Sequence, residues 1–285
     1  MPDSPAYVIY QEPPRRPLTA RNLSDFALCP QKFLLSFFVS RQAAERFLGG
    51  AAALHEGVRA ALIQCYREGG PAASPAERLL GLFEQNWEGR LCADSLEEEQ
   101  LHRQGLEMLR RYHAAHEAET ARTVALDLRM EADLGEHRFV AVVDRALQEA
   151  GEPLTLLRYK TTRQVPGPGG LAKDPSLALL LIVGETHFGS SGALTGGCRG
   201  EYTAKAAPTR AAQAAIYAVR TEKRVVAAIG EAERRAWREL FVQQATAVRR
   251  AREYPTVVGR HCSVCRCRSI CPAWHPPPPR EETGE

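Results

Sequence analysis

Apolar residues recur at spacings of three and four over residues 45–66, where Ala51, Leu54, Val58, Leu62 and Cys65 form one stripe, which predicts a helix. Two further stripes predict helices. One carries Leu79, Leu80, Phe83, Trp87 and Leu91; the other runs from about Leu96 to His116 through Leu101, Met108, Leu109 and Tyr112. Upstream, residues 23–38 read as a helix capped by Ser24 and broken by Pro30 just after Cys29. Beyond residue 120 the period changes to two. Residues 123–130, 138–147 and 154–160 alternate as strands, with Gly151-Glu152-Pro153 as a turn, and together predict an antiparallel meander. Residues 161–205 hold one apolar run, Leu177 to Val183, among glycines and give no clear period. A helix is expected from Thr209 through Gln213, Ile216 and Tyr217, then a strand over 224–229. A long amphipathic helix follows, bearing Trp237, Leu240, Phe241 and Val248.

The order of elements predicts an α+β chain: a central mixed sheet flanked by helices, with an N-terminal helical subdomain. Its divisions are an extension over 1–20, a helical region over 21–120, a core over 121–260, a cysteine cluster over 261–275 and a disordered tail over 276–285. The 285 residues are 44% hydrophobic and 25% charged, the composition of an ordinary globular protein. A net charge of +3 is compatible with nucleic acid without demanding it. The run at 177–183 is too short to cross a bilayer, and residues 6–10 are too short for a secretory core, so a cytoplasmic, membrane-free protein is expected. In that compartment the eight cysteines are thiols or ligands rather than disulfides.

Four of those cysteines, Cys262, Cys265, Cys267 and Cys271, fall within ten residues. Four thiolates suffice for a local zinc site. A zinc ribbon, however, normally has two Cys-x2-Cys knuckles, and only one is present. Cys29, held at a helix break, is available as a ligand from the other end of the chain, although a single cysteine is more often a small core residue.

In chain order these features form a pattern. A Cys-Pro-x-x-Phe helix (Cys29 to Phe33) is followed by His55 on an early helix, then Val-Asp-Arg (Val143 to Arg145) on a strand. Next come a Tyr-Lys-Thr strand end (Tyr159 to Thr161), Gln213 and Tyr217 four apart, and a terminal Cys-x2-Cys-x5-Cys. The pattern resembles the RecB-like branch of the PD-(D/E)XK nuclease superfamily, and within it the members that carry an iron–sulfur cluster, such as AddB nuclease domains and CRISPR-adaptation exonucleases. The resemblance implies a restriction-endonuclease-like core and metal-dependent hydrolysis of DNA, single-stranded or at ends, in recombination, repair or defence, beside a helicase or another repair protein. It further implies Asp144 and His55 as ligands of Mg²⁺ or Mn²⁺, Lys160 as the group that polarises water or neutralises phosphate, and Gln213 and Tyr217 as positioning groups. It assigns Cys29, Cys262, Cys265 and Cys271 to a 4Fe-4S cluster that would clasp the two ends of the chain. The chemistry is coherent: hydrolysis of a phosphodiester needs a hard cation, and such a cation needs converging oxygen ligands.

One position departs from the pattern. Two residues before Lys160, where the family has an acid on the same strand face, this chain has Arg158. A guanidinium cannot ligate a metal, and at ~4 Å it repels a unit charge by about 4 kcal/mol at an effective dielectric near 20. Either the acid has moved elsewhere or the site is degenerate. In a degenerate site Arg158 and Lys160 would still attract phosphate. Six arginines between Arg249 and Arg268, including Arg249, Arg250 and Arg252, face one acid, Glu253, and form a candidate backbone-binding stripe; the alternative is a solvated basic face.

Overall fold

The structure is a computed structural model that describes residues 16–38, 49–189, 201–202 and 212–275. Helix α1 (Ala20–Leu28) is capped by Thr19, whose hydroxyl accepts from the Asn22 amide while the Asn22 side chain accepts from the Thr19 amide. Ser24, the cap expected from sequence, therefore lies inside the helix. The break at Cys29 is where it was expected, and Pro30 opens α2 (Pro30–Leu35), its missing N–H being no loss at a first helical position. Helices α3 (Gly49–Arg67), α4 (Ala76–Asn86) and α5 (Ser95–His116) follow.

Strands β1 (Arg122–Leu134), β2 (His137–Gln148) and β3 (Leu154–Lys160) form the predicted antiparallel meander. After the short α6 (Pro168–Leu171), α7 (Pro175–Gly189) crosses one face of the sheet. This helix is the unread apolar run. It is apolar all round, so it shows no period, and its Leu177–Val183 segment is completely buried. A Cβ on Gly184 would come within 2.2 Å of Leu156 Cδ1, so glycine there lets helix and sheet approach closely.

The sheet continues with the two-residue β4 (Glu201–Tyr202), β5 (Ala212–Ala218) and β6 (Lys223–Val226), in the order β4-β1-β2-β3-β5-β6. β5 runs parallel to β3, with Thr155 opposite Gln213 and Tyr159 opposite Tyr217. This corrects the expected helix through Gln213 and Tyr217. The segment is alanine-rich and mostly buried, so neither composition nor alternation marks it as a strand, and pairing with β3 decides its conformation. Helix α8 (Glu231–Arg250) buries Phe241, Ala245 and Val248, while Leu240, expected on the same stripe, is exposed.

The sheet is sandwiched. Helices α3, α4 and α5 pack one face through Val58, Leu62, Phe83, Met108 and Tyr112, against Leu126, Leu157 and Tyr159. Helices α1, α7 and α8 pack the other through Leu23, Leu180 and Phe241, against Val143, Leu154 and Leu156. Leu18, within the expected extension, is buried and bridges β2, its amide donating to the Arg138 carbonyl at 2.8 Å. The glycine-rich segment 190–200 and the tail 276–285 lie outside the described residues. Among the described residues no helix is long and apolar enough to cross a membrane.

Candidate active site and cysteine cluster

β2 and β3 pair only through Arg145, Ala146 and Leu147 against Leu157, Leu156 and Thr155, and then part. Past that point β3 pairs only with β5, so the Tyr159 amide lacks a strand partner on the β2 side. Asp144 supplies one: its Oδ2 accepts from the Tyr159 N–H at 2.8 Å. The carboxylate is fully buried at the parting of the strands. Arg145, the next residue, has other partners. It is buried, ion-paired with Glu119 at 3.0 Å and laid over the Tyr66 ring, and so fixes the strand behind the aspartate.

Two guanidinium groups hold Asp144. Arg59 Nε, from α3, donates to Oδ1 at 2.7 Å, and Arg158 Nε, from β3, donates to Oδ2 at 3.3 Å. Arg158 also donates to the Val142 carbonyl at 3.2 Å, so its head bridges the gap between the strands. Arg59 reaches further, and its Nη2 bonds Asp127 Oδ1. Asp127 faces Asp144 across β1 and β2, between the pairs Leu126–Arg145 and Leu128–Val143, with φ at +46°, a left-handed conformation that aspartate tolerates better than most residues. Glu56 lies one turn before Arg59, at 3.9 Å. Three carboxylates thus surround one arginine head. Burial opposes the charge on Arg59, yet Asp144 and Asp127 outweigh it and raise Arg59 above its ordinary pKa.

His55 and Lys160 belong to the same neighbourhood. His55 lies one turn before Arg59 on α3 and lines a cavity with Lys160. Burial, aided by Lys160 and Arg158, lowers the His55 pKa despite Glu56 and Asp144, so its imidazole is neutral at neutral pH. Burial and then Arg158 likewise lower Lys160, against Asp144, Asp174 and Glu56. The fold therefore gathers His55, Asp144, Arg158 and Lys160 at one end of the sheet.

Gln213 and Tyr217 are not brought there. Gln213 Nε2 instead donates to Thr155 Oγ1 at 2.9 Å, and Tyr217 packs edge-on against Tyr112 with ring centroids 5.1 Å apart. Arg249 donates to the Arg16 carbonyl at 2.5 Å, and Arg250 is exposed at the end of α8. Sequence reasoning missed Arg59 altogether. The one signal for it is its spacing, four residues after His55 on the same helix face.

The donor set does not fit Mg²⁺ or Mn²⁺. Both oxygens of Asp144 are engaged by arginines, and the position that should bring a second carboxylate brings Arg158.

At the far end of the chain the segment after α8 returns to α1 and α2. Tyr254 stacks on Phe33 with centroids 6.3 Å apart, the Gln31 amide donates to the Pro255 carbonyl at 3.2 Å, and buried Asp25 binds Lys32 at 2.7 Å and Arg266 at 3.8 Å. Cys29, Cys262, Cys265, Cys267 and Cys271 line one pocket there. The amides of Val257 and Gly259 point at the sulfurs of Cys29 and Cys262, at 3.4 and 3.5 Å. Cys267 turns its thiol to the Lys32 carbonyl, at 3.8 Å, and its pKa is pushed up to about 12 by burial and by Cys265. Among the described residues no three His, Cys, Asp or Glu side chains stand close enough to hold a metal ion. As a donor set, four thiols with amide N–H groups aimed at two of the sulfurs fit an iron–sulfur cluster.

A mixed sheet between helical layers, with a buried acid where two strands part and a lysine ending the second, defines a restriction-endonuclease-like protein. The family comparison is more specific. Residues 17–272 match the model of the PD-(D/E)XK nuclease superfamily, and the chain belongs to that superfamily. Among curated proteins none gives a significant match.

Proposed function

We propose that this chain is a DNA-binding member of the superfamily in which metal-dependent phosphodiester hydrolysis has been lost. One observation carries the reading: both carboxylate oxygens of Asp144 are held by guanidinium groups, so a divalent cation there would meet the repulsion of Arg59 and Arg158 together. Superfamily membership supports DNA as the partner. The cationic end of the sheet, with Arg158 and Lys160, supports binding to phosphate, and Arg250 and Arg252 near the end of α8 extend that reading. The test is incubation with single- and double-stranded DNA and Mn²⁺, beside a salt-dependent binding titration. Binding that weakens with salt, without cleavage, is the expected result. Cleavage that disappears in Asp144→Ala would overturn it.

The cysteine cluster supports a second element of the proposal. Cys29, Cys262, Cys265 and Cys271 are the ligands of a 4Fe-4S cluster, and Cys267 is a spare thiol. The arrangement of the five cysteines supports this division, because Cys267 alone is engaged by a backbone carbonyl. The cluster would reinforce the junction of the chain's two ends. The motif order further supports a RecB-like protein acting in recombination, repair or defence, in the cytoplasm, alongside a helicase or similar enzyme. Purification without oxygen should give a brown protein with iron and acid-labile sulfide; colourless protein with stoichiometric zinc would reject the cluster.

A further inference from the structure

Lys160 separates the Asp144 cluster from a cavity of about 310 Å³. On its far side the cavity is walled by His55, by Thr161, Thr162 and Arg163 in the loop after β3, and by Arg220, just after β5. Two features distinguish this cavity from the rest of the surface. The first is its charge: Lys160, Arg163 and Arg220 line it together with His55, and among the described residues no carboxylate does. The second is that its arginines are unpaired. Among the described residues neither Arg163 nor Arg220 forms an ion pair, and Arg220 Nε is buried with no hydrogen-bond partner. Neighbouring arginines behave differently. Arg111 reaches Glu222 at 3.5 Å, and Arg224 binds Glu149 at 2.8 Å.

The backbone that carries Lys160 and Arg220 is also held in place. The Val219 amide donates to the Lys160 carbonyl at 2.8 Å, tying the two loops together, and Arg111 Nη2 donates to the Arg220 carbonyl at 3.1 Å. Burial, and then the proximity of Arg163 and Arg111, pushes the Arg220 guanidinium below its ordinary pKa. Like charges fixed around a concave space, with an unanswered donor in the wall, make a site complementary to an anion.

We propose that this cavity is a phosphate subsite, in which Arg163 and Arg220 hold one backbone phosphate of a DNA strand and Lys160 is shared with the Asp144 cluster. The inference rests on the DNA-binding reading above but is tested separately from it. Inorganic phosphate is titrated into isotopically labelled full-length protein while amide resonances are followed. Single-stranded oligonucleotide binding is then measured by fluorescence anisotropy over a range of salt. Saturable shifts at Thr162, Arg163 and Arg220 are expected in the natural protein and should be absent in Arg163→Gln/Arg220→Gln. The same double variant should bind the oligonucleotide at least about tenfold more weakly, since even one charge-assisted bond is worth about a factor of ten. Its salt slope should be smaller by about 0.7, the contribution of one phosphate of a single strand. Arg163→Gln alone, in an exposed loop, should show part of both effects without touching the core. Phosphate shifts that are absent, or that survive the double substitution, overturn the subsite. DNA binding unchanged in the double variant also overturns it, while leaving the DNA reading intact. Phosphate shifts without DNA binding overturn the assignment to a strand and the DNA reading with it.

Discussion

Arg59 bonds two carboxylates, one of them completely buried, and its removal is the most direct test of how this site is held together. The perturbation is Arg59→Met, which keeps most of the apolar stem and deletes the charge. Breaking a buried ion pair from one side costs about 3–5 kcal/mol, because the other charge stays buried without its partner. Two features of this site point to the lower end. Asp144 keeps the Tyr159 amide and Arg158 on Oδ2, and the Asp127 side chain, 42% exposed, can turn to solvent. The expected loss is therefore about 3 kcal/mol. For a chain of this size that lowers the melting temperature by about 6–12 °C. Urea unfolding gives the free energy, provided the slope with denaturant is unchanged. The assay becomes specific as a cycle with Asp144→Asn. In the double variant the buried charge is gone, so it should cost little more than either single variant, with a coupling of about 2 kcal/mol. Additive effects, with coupling below about 0.5 kcal/mol, would refute the claim that Arg59 acts as the counter-charge of Asp144.

Three further outcomes are expected. Mn²⁺ should leave the melting temperature of the natural protein unchanged but raise that of Arg59→Gln/Arg158→Asp, since a cation at a hundred times its Kd adds about 2.7 kcal/mol; Arg158→Asp alone should respond weakly, because Arg59 still occupies Asp144 Oδ1. In anaerobically purified protein Cys267→Ala should retain iron and sulfide, whereas Cys271→Ala should lose them, as read by metal analysis. Affinity for single-stranded DNA should fall on raising the pH before an ordinary lysine would titrate, because burial and Arg158 lower Lys160 and its deprotonation removes a charge that attracts phosphate. In Arg158→Gln the fall should move to higher pH, as anisotropy between about pH 7 and 10 would show.

Elements defined by a local period were legible in the sequence. The helices around Val58 and Met108 and the three-strand meander follow from apolar spacing alone, and the position of Asp144 beside Lys160 follows from the meander. What escaped was set by tertiary contact. β5 is buried on both faces and rich in alanine, so what makes Gln213 and Tyr217 strand residues is pairing with the neighbouring strands β3 and β6. α7 is apolar all round and has no face to read. Arg59 finds its partners 68 and 85 positions away, and the facing of Asp127 and Asp144 depends on a left-handed residue inside a strand. Sequence spacing places Lys160 two residues after an arginine; it does not place a second arginine on the aspartate's other oxygen.

That second arginine changes what the loss of the motif acid means. A buried aspartate without a counter-charge would be costly, and with only Arg158 its Oδ1 would still be unanswered. Arg59 answers it from a different helix, so the site is neutralised by two elements that also lock α3 and β3 to β2. The aspartate then has a structural task that needs no metal: it satisfies the Tyr159 amide where the strands part, and so keeps β3 diverging from β2. With its acids spent internally, the outward side of the site is lined by Lys160, Arg163 and Arg220, and no carboxylate is among the described residues that line it. An active site of this superfamily must hold a cation and a phosphate together. On the function proposed above, protein side chains supply the cations, and the geometry left over would hold a phosphate without cutting it.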